Sequence, residues 1–163
     1  MEMISNEEKI TQAVLVSVDT GDYDAEASLA ELKELVKSAG AEPVFTVTQN
    51  LKRPETGTYV GTGKLQEIAD ICKQQEIDLL VFDCELSPTQ IRNIEAETDT
   101  RTIDRTMLIL DIFALRARSK EGKLQVELAQ LKYLMPRLTG KGVAMSRLGG
   151  GIGTRGPGET KLE

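Results

Sequence analysis

Residues 78–90 read DLLVFDCELSPTQ, and this stretch decides the fold class. Asp78–Phe82 is an almost continuous apolar run, which is typical of a strand whose two faces are both covered by helices. Ser87 and Gln90 then have the spacing of a capping box, and Pro88 occupies the first position of the helix that follows. A buried strand that leads into a capped helix is one unit of an alternating α/β fold.

The same alternation extends in both directions from this stretch. Strands are predicted at Ala13–Val18, Pro43–Thr48, Asp78–Phe82 and Thr100–Ile103, and helices at Ala25–Ala39, about Lys64–Gln75, about Pro88–Glu97 and from Asp104 through Leu115. The loop over residues 49–64 has room for a short strand around Thr58–Val60. The alternation predicts an α/β domain over residues 1–118, an open doubly wound parallel sheet of about four strands flanked by helices, with right-handed crossovers.

Residues 119–163 have a different character and predict the first part of a helical hairpin. Apolar residues recur at spacings of three and four along one face of a long helix, at Leu124, Leu128, Leu131, Leu134 or Met135, and Leu138. Pro136 should kink or end this helix. Residues 140–158 then hold eight of the chain's fourteen glycines. We expect a truncated hairpin, whose apolar stripe over 124–138 packs on the α/β domain, mediates self-association or stays mobile.

The net charge of −6 hides a division between these two regions. Residues 1–118 carry 12 Lys+Arg and 22 Asp+Glu, a balance of −10, whereas residues 119–163 carry 8 and 4, a balance of +4. Between Glu127 and Glu159 there is no acid and there are five basic residues, Lys132, Arg137, Lys141, Arg147 and Arg155. This asymmetry suggests that the tail meets a polyanion, and the alternative is a solvated basic surface.

The amino-acid composition argues against several classes of function. The chain has no His, which removes the usual general base and the commonest metal ligand. Cys72 and Cys84 are too few for a disulfide framework or a zinc knuckle, so we expect reduced thiols in a cytoplasmic protein. Neither a secretory signal nor an apolar run long enough to span a membrane is visible in the sequence.

Two patterns support a less favoured alternative, in which the α/β domain itself binds or weakly hydrolyses a purine nucleotide. The turn formed by Gly61, Gly63 and Lys64 enters a helix and can hold an anion, although it does not match the phosphate-loop pattern G-x-x-x-x-G-K-S/T. Asp19, Asp83 and Asp104 follow predicted strands, where carboxylates can hold Mg²⁺ but also serve as turn and cap residues. The pattern G-x-G-x-x-G at 151–156 is not preceded by a strand, so we reject a dinucleotide site there.

The glycine-rich segment suggests contact with structured RNA. Its glycines allow close approach of the backbone to another surface, and Arg147 and Arg155 can fork onto phosphates or stack on bases. A flexible linker is the alternative, but such linkers seldom carry Met145, Leu148 and Ile152.

This segment also carries a family resemblance. Residues 146–160, SRLGGGIGTRGPGET, resemble the signature of the HflX family of ribosome-associated GTPases. Supporting stretches with the same order and spacing are Tyr59–Lys64, Leu86-Ser87-Pro88 with Gln90, Asp104-Arg105-Thr106, Ile109–Phe113 and Gln125–Leu131. The resemblance spans nearly the whole chain.

The resemblance implies a monomeric cytoplasmic GTPase that binds the large ribosomal subunit and splits or rescues stalled or idle ribosomes, especially under stress. It implies that the loop at the hairpin tip reaches rRNA, and the residues expected there are Lys141, Arg147, Gly149, Gly150, Gly151, Gly153, Arg155 and Gly156. Because no phosphate-loop pattern occurs in this chain, we expect GTP and Mg²⁺ to be bound by a G domain outside it. The chain itself is expected to hold no cofactor or metal and to lack GTPase activity.

Overall fold

The structure, a computed structural model, describes residues 9–138. Four strands and five α-helices follow one another along these residues: β1 Thr11–Asp19, α1 Ala25–Ser38, β2 Ala41–Asn50, α2 Thr62–Gln74, β3 Leu79–Phe82, α3 Pro88–Thr98, β4 Arg101–Asp104, α4 Arg105–Arg116 and α5 Lys120–Leu134. A short 3₁₀ turn, Met135–Arg137, ends the described part. The four main strands and the helices expected from the sequence are present, and most boundaries differ by one or two residues.

The sheet is parallel, with the strand order β2-β1-β3-β4. The strand order, which the sequence left open, places β1 and β3 in the centre. Helices α1 and α4 pack together on one face and α2 and α3 on the other, because the chain reverses its direction across the sheet after β2. This arrangement confirms the predicted doubly wound α/β fold.

The core lies on both faces of the two central strands. Residues 13–18 of β1 and all four residues of β3 are buried, as the uninterrupted apolar runs predict. Leu32 and Val36 of α1 cover one face, and Leu65 and Ile68 of α2 cover the other. Around Thr58–Val60 there is no regular strand; instead Tyr59 forms an isolated antiparallel bridge with Glu55.

Polar side chains fix where the helices begin. The hydroxyl of Ser87 accepts a hydrogen bond from the backbone N–H of Gln90, whose side chain accepts one from the backbone of Ser87, so the predicted capping box is confirmed. Asp104 caps α4 in the predicted way, through Met107. These caps place α3 and α4 at the carboxyl edge of the sheet, where functional side chains collect in open α/β folds.

Helix α5 runs back along α4 in the antiparallel direction. It begins just after α4 ends, and its far end reaches Asp104 at the start of α4. Pro136 lies in the 3₁₀ turn that follows α5, so the helix ends near it as expected. Among the residues of α5 none is buried, and Leu124, Leu128 and Leu131 are each more than half exposed. Within residues 9–138 the predicted apolar stripe is therefore largely uncovered.

Candidate functional site

The carboxyl edge of the sheet gathers the side chains that the sequence singled out. Asp19 ends β1, Asp83 follows β3 and Asp104 ends β4. In the strand order β2-β1-β3-β4, consecutive connections leave β1 and β3 on opposite faces, so the point between these two strands is the topological switch point. Ligands of open α/β sheets bind outside the strand ends at such points.

Asp83 is used in an ion pair at this switch point. Its side chain is 1% exposed, and its Oδ1 accepts a hydrogen bond of 2.7 Å from Nη1 of Arg105. The same guanidinium reaches Glu31 and the hydroxyl of Ser28, both on α1. Although burial lowers the pKa of Arg105, the hydrogen bond and charge of Asp83 and the charge of Glu31 outweigh this effect and raise it. The pair therefore ties α4 to α1 and to the end of β3.

Asp104 is fully buried and its two carboxylate oxygens accept three hydrogen bonds. Oδ1 accepts from the backbone N–H of Met107, and Oδ2 accepts from the backbone N–H of Leu86 and from the hydroxyl of Tyr133. These donors occupy the directions in which a cation would sit. Across residues 9–138 no group of three or more His, Cys, Asp or Glu side chains is arranged to hold a metal ion. The structure does not bring Asp19, Asp83 and Asp104 together as the metal site considered from the sequence.

The Gly61–Lys64 turn begins α2, beside the end of β2. Gly61 is the N-cap residue, and its backbone N–H donates to Oε1 of Gln49 over 2.9 Å. Lys64 points along the helix to Glu67, with 3.0 Å between Nζ and Oε2. The lysine is therefore neutralised by a neighbour on its own helix, which is the arrangement of an ordinary strand-to-helix turn.

Tyr59 and Cys84 fill the space beneath this edge. Tyr59 has a φ of 63°, unusual for a residue with a bulky side chain, and its ring meets that of Phe82 edge to face at 6.3 Å. Gln90 and Asn93 of α3 hold the preceding loop by donating to the carbonyls of Glu55 and Gly57. Burial raises the pKa of Cys84 far above its ordinary value, so this thiol stays protonated and is a poor nucleophile at neutral pH.

The end of α5 docks on the same edge through two side chains that sequence reasoning missed. Tyr133 donates its hydroxyl proton to Asp104 over 2.6 Å. Arg137 donates through Nε to the carbonyl of Leu86 over 3.0 Å and through Nη1 to the carbonyl of Tyr133 over 3.1 Å. Its guanidinium also lies 3.8 Å from the centre of the Tyr133 ring. From the sequence Arg137 was grouped with the basic tail residues, whereas here it contacts the protein itself.

The predicted RNA-contacting residues Lys141, Arg147, Gly149, Gly150, Gly151, Gly153, Arg155 and Gly156 lie outside the described residues. Within the described part, the chain reaches Leu138 next to the anchored residue Arg137.

Two family models match the chain and together cover most of it. Residues 26–114 match the model described as GTP-binding GTPase N-terminal, and residues 116–163 match GTP-binding GTPase Middle Region. The border between the two models falls at the end of α4, where the fold also changes from the α/β domain to α5. The fold and these matches define a class, the N-terminal and middle regions of GTP-binding GTPases.

The curated relatives narrow this class. The chain is 56% identical over 156 residues to the GTPase HflX of Alkalihalophilus pseudofirmus, a match that covers 94% of this chain and 37% of the relative. It is 52% identical over 153 residues to the GTPase HflX of Escherichia coli K12, covering 93% of this chain and 36% of the relative. The chain thus spans less than two fifths of these relatives. It belongs to the HflX family of GTPases and corresponds to the N-terminal part.

Solved structures agree with this assignment. The complex of SsGBP with GDP matches with a TM-score of 0.62 and 31% identity, over 84% of this chain and 40% of the other. A GTP-binding protein of Sulfolobus solfataricus in complex with GDP matches with a TM-score of 0.59 and 30% identity, over 85% of this chain and 40% of the other.

In the described part of our chain, no helix has the length and apolar character needed to cross a membrane.

Proposed function

We propose that this chain is the ribosome-binding part of an HflX-type GTPase and that its glycine-rich segment contacts rRNA of the large subunit. In this proposal the complete protein acts in the cytoplasm, splitting or rescuing stalled or idle ribosomes under stress. GTP hydrolysis and Mg²⁺ binding belong to a G domain outside this chain.

The observation that carries the proposal is the separation of charge between two parts of different architecture. The α/β domain is acidic and has its core closed by helices, whereas residues 119–163 carry 8 Lys+Arg against 4 Asp+Glu, a balance of +4. An acidic body disfavours contact with phosphates, so a polyanion would be met by the tail. Family membership supports the same assignment, since the glycine-rich segment falls in the middle region that the family model covers.

The test is binding of purified large ribosomal subunits to the 163-residue chain. The double variant Arg147→Ala/Arg155→Ala should bind at least about tenfold more weakly, because each lost phosphate contact reduces counterion release. The wild-type chain should show a log–log salt slope of roughly −4, corresponding to four or five neutralised phosphates at about 0.9 each.

A matched control is Lys33→Ala/Lys73→Ala, which removes the same two charges from exposed positions on α1 and α2. This variant should bind like the wild type. Equal binding by the arginine variant, or unchanged binding after deletion of residues 140–158, would contradict the proposal.

A second candidate function is nucleotide binding by the α/β domain. A pocket between the ends of β1 and β2 favours it, lined by Asp19, Thr20, Gly21, Asn50, Leu51 and Lys52. The pocket lies at the edge where open α/β sheets bind ligands. Calorimetric titration with ATP or GTP and Mg²⁺ tests it: heat that is lost in Lys52→Ala, which changes the lysine of this pocket, would support it, and the absence of heat would contradict it.

A further inference from the structure

We propose that the turn between α4 and α5 is a second RNA-contacting surface, an inference that rests on the proposed function and adds an interaction site to it. This surface, which we call the basic turn, comprises residues 116–123, RARSKEGK. The partner that it fits is the phosphate backbone of structured RNA. Its basic side chains are Arg116, Arg118, Lys120 and Lys123.

The basic turn has the opposite charge from the domain that carries it. Residues 9–115 hold 10 Lys+Arg and 19 Asp+Glu, a balance of −9, whereas residues 116–123 hold 4 basic residues and 1 acid, a balance of +3. All four basic side chains of the turn are exposed. A basic surface on an acidic body directs the body's association with a polyanion, because the rest of the molecule is repelled by it.

The basic side chains of the turn also differ from those of the α/β domain in their contacts. Four basic residues of the domain, Lys9, Lys37, Lys64 and Arg105, each form an ion pair with a carboxylate. Within residues 9–138, no basic residue of the turn forms one. Their charges are not offset by a neighbour, so an external phosphate would not have to displace an existing partner.

Helix stability does not account for the two lysines of the turn. Lys120 and Lys123 lie at the beginning of α5, directly after its N-cap residue Ser119. Positive charge at this end of a helix opposes the helix dipole, and two cations three residues apart on one helix repel each other. Arg116 is different, since it lies in the last turn of α4, where a cation is favourable. A phosphate bound between the lysines would offset both unfavourable effects.

The basic turn lies at the opposite end of α5 from the contacts with the carboxyl edge of the sheet. Helix α5 begins just after the turn, and its far end reaches Asp104 through Tyr133. The 15 residues of α5 span roughly 22 Å at 1.5 Å each. The basic turn and Arg137 are therefore separated by about the length of this helix, and a phosphate held by one cannot be held by the other.

The experiment measures binding of purified large ribosomal subunits to the 163-residue chain. Arg118→Gln/Lys120→Gln should bind about tenfold more weakly than the wild type. Its log–log salt slope should be shallower by about 1.8, because each of two lost phosphate contacts contributes about 0.9. The wild-type slope should be steeper than the roughly −4 expected without this surface. The matched control Lys33→Gln/Lys73→Gln removes two exposed charges from α1 and α2 and should change neither quantity.

A charge-reversed variant separates a lost contact from a lost structure. Lys120→Glu places an acid where the helix dipole favours it, so amide exchange in the first two turns of α5 should slow about twofold. Affinity for the large subunit should nevertheless fall about tenfold. Weaker binding together with faster exchange in α5 would mean that the substitution acts by loosening the helix, and the proposed surface would be overturned.

Protein-free rRNA of the large subunit identifies the class of partner. If the basic turn contacts RNA, Arg118→Gln/Lys120→Gln lowers affinity for this rRNA as well as for intact subunits. Lost affinity for intact subunits with unchanged affinity for the protein-free rRNA would indicate an acidic ribosomal protein at the turn instead. That outcome would overturn the assignment to RNA.

The Arg147→Ala/Arg155→Ala variant keeps this inference and the proposed function distinguishable. If that variant loses affinity while Arg118→Gln/Lys120→Gln binds like the wild type, the basic turn is not a contact and the proposed function stands. If only the turn variant loses affinity, the turn is a contact and the role of the glycine-rich segment is contradicted. Unchanged affinity in both variants would overturn both proposals.

Discussion

The α/β domain and helix α5 have similar shares of apolar residues but use them differently. In the α/β domain the leucines and isoleucines of the strands are closed in on both faces by helices, and Leu15, Leu79 and Leu80 are at most 1% exposed. On α5, Leu124, Leu128 and Leu131 are 62%, 52% and 53% exposed. Apolar content alone therefore does not show which residues stabilise the fold; the partner surface does.

The two regions also differ in how they use polar and charged side chains. The α/β domain buries charged groups, such as Asp83 and Asp104, each with a partner from a distant part of the chain. Helix α5 buries no charged side chain, yet its end depends on polar contacts with Asp104 and Leu86. The α/β domain is thus held mainly by apolar packing, whereas the end of α5 combines a few hydrogen bonds with the partly buried contacts of Tyr133 and Leu134. The two regions should therefore respond differently to the same kind of substitution.

Truncating a leucine in each region should give the largest contrast. Leu80→Ala removes a fully buried side chain from β3 and should lower the free energy of unfolding by about 2–5 kcal/mol, through lost burial and the cavity left behind. Leu128→Ala on α5 should change it by less than about 0.5 kcal/mol, because that side chain is half exposed and alanine favours a helix. Urea unfolding followed by circular dichroism measures both. A comparable loss in Leu128→Ala would show that α5 belongs to the cooperative core.

Removing the ion pair between Asp83 and Arg105 should give the next largest loss of stability. Arg105→Met leaves the buried carboxylate of Asp83 without its cation, and we expect a loss of about 1–3 kcal/mol, a range kept low because Arg105 is partly exposed. The matched control is Lys64→Met, whose partner Glu67 lies on the same helix and is 63% exposed, with an expected change below about 0.5 kcal/mol. Chemical unfolding of both variants at neutral pH is the measurement. Equal effects would mean that Asp83 is stabilised without Arg105.

Removing a helix cap in each of the two regions should give a smaller difference in stability. Ser87→Ala removes the capping box of α3 and should cost about 1 kcal/mol of global stability. Ser119→Ala removes the cap of α5, where Oγ accepts from Gly122, and should leave global unfolding unchanged while speeding amide exchange in the first turn of α5. Hydrogen exchange and urea unfolding on the same samples separate the two results. A global loss in Ser119→Ala would contradict the division into two regions.

The α/β domain was predictable from sequence because its signals are local. The apolar runs of β1 and β3 and the caps Ser87 and Asp104 each lie within a few residues of the element that they define. The strand order was not predictable, since it depends on which side each crossover takes. The possible short strand around Thr58–Val60 is not formed; Tyr59, which has a positive φ, makes a single bridge to Glu55.

The polar contacts of the carboxyl edge could not be predicted for the same reason. Asp104 meets Tyr133 across 29 residues and Asp83 meets Arg105 across 22, so no local pattern connects them. The sequence placed all three aspartates at the correct edge and left a metal site open as a less favoured alternative, because a cap and a metal ligand use the same residue type. Arg137 looked like part of a basic tail, and only the fold shows that it stacks on Tyr133.

The last comparison uses alkaline pH to weaken the hydrogen bond between Tyr133 and Asp104 at the end of α5. Burial, followed by the hydrogen bond and charge of Asp104, raises the pKa of Tyr133 well above its ordinary value. The stability contributed by its protonated hydroxyl is therefore fully present below the unfolded pKa of about 10 and is lost as pH rises from there toward the folded value. Amide exchange over residues 124–138, corrected for its intrinsic pH dependence, should accelerate between about pH 9.5 and 11 in the wild type. In Tyr133→Phe this extra acceleration should be absent.

Tyr23, Tyr59, Cys72 and Cys84 also have pKa values raised by burial, so alkaline pH will weaken the α/β domain as well. These groups are unchanged in Tyr133→Phe. The difference in amide exchange between the wild type and this variant therefore isolates the contribution of the Tyr133 hydroxyl. Tyr23→Phe serves as the control, since it should keep the wild-type acceleration over residues 124–138. If wild type and Tyr133→Phe accelerate equally there, the hydroxyl of Tyr133 does not hold the end of α5, and the region depends on apolar contacts with α4 instead.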